Sequence, residues 1–103
     1  MAVMDMDQRV TVHPETYQAR VLNLEKGLPT VEEGRRRPLE EVKRTKLNGG
    51  AVLKVIHGYG SSRPDRTGGK LREGVRKSLL LRRKEGAIPD LARGNPGITI
   101  VLV

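Results

Sequence analysis

The chain reads as an α+β domain, a two-layer α/β sandwich in which two helices cover one sheet. Three observations predict it. Two apolar runs of strand character, residues 19–24 and 51–56, are each followed by a longer segment with helical spacing. A third run, Ile98-Thr99-Ile100-Val101-Leu102-Val103, is the strongest strand signal in the sequence. The order is strand, helix, strand, helix, then one or two strands. At 103 residues there is room for one small domain.

Residues 1–18 show no sustained period, and Pro14 limits the extended piece that Val10, Val12 and Tyr17 would form. They read as a flexible N-terminal lead-in to a domain over 19–103. In the first strand Leu22 and Leu24 alternate with Asn23, and Lys26-Gly27-Leu28-Pro29 ends it. Thr30 with Glu33 three residues on is a capping box, so a helix is predicted from Val31 to Leu47, stopped by Asn48-Gly49-Gly50. Pro38 lies inside it. The ring removes the hydrogen bond to the Gly34 carbonyl at a cost of about 3 kcal/mol, so a kink or two helical pieces is expected near 34–38. Val52, Leu53, Val55 and Ile56 make the second strand almost continuously apolar, which suits a central, parallel position. A long polar loop over 57–67 precedes a second helix over 69–84, whose Leu71, Val75 and Leu79 share one face. Ala87-Ile88-Pro89 is a short candidate edge strand, and residues 92–97 are rich in turn formers.

Charge is unevenly placed. Residues 1–34 carry three basic and six acidic side chains, whereas 35–103 carry 17 basic and six acidic, and the whole chain has a formal charge of +8. Such an asymmetry favours a polyanionic partner. Cysteine is absent, which excludes disulfides, thiolate metal sites and cysteine nucleophiles. No apolar stretch approaches the ~20 residues of a membrane span. The acidic first eight residues do not resemble a secretory leader, so a cytoplasmic location is expected.

The chemistry-bearing motif is His57-Gly58-Tyr59-Gly60-Ser61-Ser62 at the end of the second strand, answered by Gly68-Gly69-Lys70-Leu71-Arg72. Glycines in such a turn let several N–H groups converge, and the helix that follows adds unpaired N–H groups and a partial positive charge. That combination predicts a phosphate site. Lys70 and Arg72 sit in the first helical turn, where a cation opposes the helix dipole, which points to an anionic ligand there. Arg63, Arg66 and Arg76 add surrounding charge. His57 has two roles open to it, as a phosphate ligand or general acid, or as a residue that pins the turn through backbone hydrogen bonds. Tyr59 is either a stacking surface for a base or a packing residue. With only two aromatics in the chain, recognition leans on backbone and shape. His13 and the run Arg35-Arg36-Arg37 read as solvated surface.

From about residue 21 to 103 the pattern resembles the Smr (small MutS-related) domain family. The match rests on the strand ending in His57-Gly58-Tyr59-Gly60, the pair Gly68-Gly69 opening a helix, and the turn Gly94-Asn95-Pro96-Gly97 into a terminal apolar strand. The resemblance implies a βαβαββ order and a mixed four-stranded sheet with two helices, like the C-terminal domain of translation initiation factor three. It also implies binding to DNA or RNA, and in several members endonuclease action on branched or structured substrates. The family's first strand carries Leu-Asp-Leu-His-Gly, where this chain has Leu22-Asn23-Leu24-Glu25-Lys26-Gly27. Asn23 cannot act as a base, whereas Glu25 can hold a divalent metal or position a water. The resemblance thus implies a binding site over 57–62, Arg63, Arg66, Gly68, Gly69, Lys70, Arg72 and Arg76 that needs no cofactor. For a nuclease it implies His57 and Glu25 as catalytic groups with a divalent metal. A module docking on an acidic protein or the ribosome is the alternative from another class.

Overall fold

A computed structural model of the chain describes residues 3–27, 30–58, 70–93 and 97–103. Five strands form one mixed sheet: β1 (Val3–Val12), β2 (Glu15–Asn23), β3 (Val52–Ile56), β4 (Asp90–Arg93) and β5 (Ile98–Leu102), in the spatial order β1-β2-β3-β5-β4. Only β2 and β3 run parallel; the other neighbours are antiparallel. A four-residue helix α1 (Leu24–Gly27) follows β2, and the long helices are α2 (Val31–Leu47) and α3 (Lys70–Lys84). The α+β class and the two-helix layer are as the sequence predicts. The sheet has one strand more than the resemblance implies.

That strand is β1, in the segment expected as a lead-in. Residues 3–12 pair along β2 from Val3↔Asn23 to Val12↔Glu15, and His13 and Pro14, joined by a cis peptide bond, connect the two strands. Between Asp5 and Gln8 the register slips by one residue. A slip of one turns a strand's side chains over. Met4 accordingly packs with the core under the helices, whereas Val10 and Val12 join the opposite face with Ala19, Val52 and Ile100.

The main core lies between sheet and helices. Leu22, Leu53, Val55 and Val101 project from the strands to meet Val42 of α2 and Val75 and Leu79 of α3, all at or near zero exposure. A leucine buried in this way contributes about 1.5–3 kcal/mol, which is how a core without Phe or Trp holds the layer. Helix α2 has the predicted ends. The Glu33 N–H donates to Thr30 Oγ1 at 3.1 Å, and Gly49 takes φ +74° beyond the C-cap Asn48. It is not divided at Pro38 as the sequence suggests. Pro38 is buried within the continuous helix, and one turn earlier the Arg35 carbonyl accepts the Ser78 hydroxyl of α3 at 3.2 Å.

One charge cluster ties α2 to β2. Glu41 is fully buried, and its carboxylate accepts from Arg20 of β2 at 3.2 Å, Arg37 at 3.1 Å and Arg44 at 3.0 Å. The last edge strand begins at Asp90 rather than at Ala87. Ile88 turns into the core at 2% exposure, so its neighbours do not lie along the sheet edge.

Candidate functional site

Parallel pairing of β2 and β3 brings their carboxyl ends side by side, with Asn23 opposite Ile56. In α/β folds this is where ligands gather. Just beyond Asn23, its side-chain Oδ1 accepts the Glu25 N–H at 3.0 Å, an Asx-type bond that turns the chain into α1 and leaves Glu25 exposed at the rim. Beyond Ile56 come His57 and Gly58. Gly58 has φ +76°, and a Cβ built there would strike the Glu25 carboxylate, with Cδ at 2.9 Å and Cγ at 3.0 Å. The backbone angle favours glycine, whereas the Glu25 carboxylate is the end of an exposed side chain that can swing aside. The two sequence motifs, 33 residues apart, therefore touch at Glu25 and Gly58.

His57 is fully buried, and each ring nitrogen has a partner: the Gly58 carbonyl at 2.9 Å from Nδ1 and Thr99 Oγ1 at 2.8 Å from Nε2. A carbonyl can only accept, so Nδ1 carries the hydrogen. Burial pushes the imidazole below its ordinary value of 6.5, against the Gly58 bond that raises it, and the cations of Arg76 and Arg72 lower it further. The ring is thus the neutral Nδ1–H tautomer, and the Thr99 hydroxyl donates to Nε2.

The backbone N–H groups of His57 and Gly58 are also engaged. Both donate to one acceptor, the Gly97 carbonyl, at 3.0 and 2.9 Å. The sequence reading sets these amides and the His57 ring toward a phosphate; in the structure both amides donate to an oxygen of the chain itself. His57 is the pin of the turn, the second of the two roles open to it, and it presents no free nitrogen to a phosphate or a leaving group.

Of the other residues singled out, Lys70 opens α3, and Arg72 and Arg76 lie on the same helix, close enough to act on the imidazole. Tyr59, Gly60, Ser61, Ser62, Arg63, Arg66, Gly68 and Gly69 lie outside the described residues. His13, Arg35 and Arg36 are exposed, as expected of solvated surface. Among the described residues no three His, Asp or Glu side chains converge as metal ligands would. The residue that sequence reasoning missed is Thr99. Its signal was present: it is the one polar residue in the apolar run 98–103.

Among solved structures the chain is similar to the crystal structure of the Smr domain of Thermus thermophilus MutS2. The two share 25% sequence identity with a TM-score of 0.57, over 82% of this chain and 94% of that one. No protein-family model matches the chain, and no curated protein does. The chain has an Smr-like fold.

Proposed function

We propose that the chain binds the phosphate backbone of nucleic acid where the ends of β2 and β3 meet the start of α3. The observation that carries this reading is electrostatic. Burial is the main cause of the lowered His57 pKa, and Arg76 and Arg72 stand close enough to the strand ends to lower it further, so cationic charge lies at the mouth of the site. The basic excess of residues 35–103 and the Smr-like fold support it.

In this reading the contacts come from cationic side chains and the N-terminus of α3: Lys70, Arg72 and Arg76, with Arg63 and Arg66 from the segment before the helix. His57, Gly58 and Gly97 fix the backbone at the end of β3. Neither DNA nor RNA is favoured by these groups, because phosphate contacts carry no base information. The test is a binding series with duplex, branched and single-stranded probes at several salt concentrations. Engagement of five to seven phosphates gives a slope of log K against log salt of roughly −4 to −6. A flat salt response overturns the proposal.

A second reading, metal-assisted nicking of branched or structured nucleic acid, is favoured by one observation: the exposed Glu25 carboxylate lies against Gly58 at the same rim. Glu25 would hold a divalent cation or orient a water, whereas the buried His57 would not deliver a proton. Incubation with Mg²⁺ or Mn²⁺ decides between binding and cleavage. Nicking that survives Glu25→Gln rules Glu25 out of the chemistry.

A further inference from the structure

The far end of the helix layer carries a different kind of surface. The second half of α2 and the residues just after α3 enclose a groove of about 320 Å³. Its floor is apolar, formed by Leu39, Val42 and Ile88, and its rim is cationic, formed by Lys43, Lys46 and Arg82. Lys46 Nζ donates to the Ala87 carbonyl at 2.6 Å, which joins the two walls and leaves the ammonium two further N–H donors. Arg82 is held by Glu85 at 2.7 Å, whereas no carboxylate among the described residues pairs with Lys43 or Lys46.

This groove is separate from the strand-end site. Helix α2 ends toward Val52, where β3 begins, whereas His57 follows the residue where β3 ends. The length of the strand, about 15 Å, lies between them.

We propose that the groove docks an acidic protein segment that seats one aliphatic or aromatic side chain on the floor. The argument is charge complementarity joined to shape. Lysines without carboxylate partners attract carboxylates, and an apolar floor rewards a buried hydrocarbon group. A phosphate backbone would satisfy the rim but leave the floor unused, so nucleic acid is the poorer occupant here.

The test is an NMR titration of the ¹⁵N-labelled full chain. The probe is a twelve-residue peptide of aspartates and glutamates carrying two leucines, and its control has serines in place of the leucines. The expected result is shifts confined to residues 39–47 and 82–88, with the serine peptide weaker by about tenfold or more. Lys43→Ala, at an exposed position on the rim, weakens the leucine peptide while leaving the salt-dependent nucleic-acid binding unchanged. Three results overturn the proposal: equal binding of the two peptides, no binding at millimolar peptide, or shifts that centre on residues 70–76. The nucleic-acid reading stands or falls by its own salt slope, so the two failures are distinguishable.

Discussion

Replacing Thr99 with valine removes one hydroxyl and keeps the shape of the side chain. Its physical effect is confined to the 2.8 Å bond to His57 Nε2. The ring cannot answer by moving its hydrogen to Nε2, because Nδ1–H is committed to the Gly58 carbonyl. An imidazole acceptor is then left buried without a donor, at a cost of about 1–3 kcal/mol. For a domain of this size each kcal/mol lowers Tm by about 4–8 °C. Urea denaturation gives the free energy, and imidazole ¹⁵N shifts give the tautomer, which should be Nδ1–H in both proteins. Pairing Thr99→Val with His57→Phe closes a double-mutant cycle, in which the double variant should lose less than the sum of the singles. The reasoning is refuted by a wild-type ring in the Nε2–H form, or by a Thr99→Val protein as stable as its parent.

Gly58→Ala should cost about 1–2 kcal/mol in chemical denaturation, from the positive φ alone. Adding Glu25→Ala should recover only what the collision with the carboxylate contributed, and full recovery would show that the backbone angle is not strained. Glu41→Gln should cost about 2–3 kcal/mol, less than a wholly buried pair, because Arg37 and Arg44 can turn toward water; a change below the error of the melt would deny the cluster its role in holding α2 on β2. His57 has a lowered folded pKa, so its contribution is present above its ordinary value of 6.5 and is lost as the pH falls toward the folded value. Stability measured from pH 7 to 5 should therefore decline, and His57→Phe should flatten that part of the profile.

The elements that were legible in the sequence are those whose signals are local. Helix α2 announces its ends through Thr30, Glu33, Asn48 and Gly49, and the structure uses those residues as cap and stop. The apolar run 52–56 fits a central strand, and β3 has a neighbour on each side. Strand β1 escaped because no single period spans it. The slip after Asp5 sends Met4 to one face of the sheet and Val10 to the other, so the alternation is broken in the middle of a continuous strand. Of the two outcomes the sequence left open at Pro38, a kink or two helical pieces, the division does not occur, because one internal proline removes a single main-chain bond from a helix of 17 residues. At the strand ends, the closeness of residues 25 and 58 followed from two parallel strands and was readable. That the His57 and Gly58 amides turn to Gly97 was not, because it depends on where the final strand is placed.

The double acceptance at the Gly97 carbonyl carries an implication for how the protein acquires its working shape. A growing polypeptide that stops short of Gly97 already contains every residue of the His-Gly motif and lacks the oxygen that bends it. The amides of His57 and Gly58 gain this acceptor only when the closing strand aligns beside β3, a pairing distant in sequence and therefore slow to form. Competence of this edge should appear together with the finished sheet and not before it.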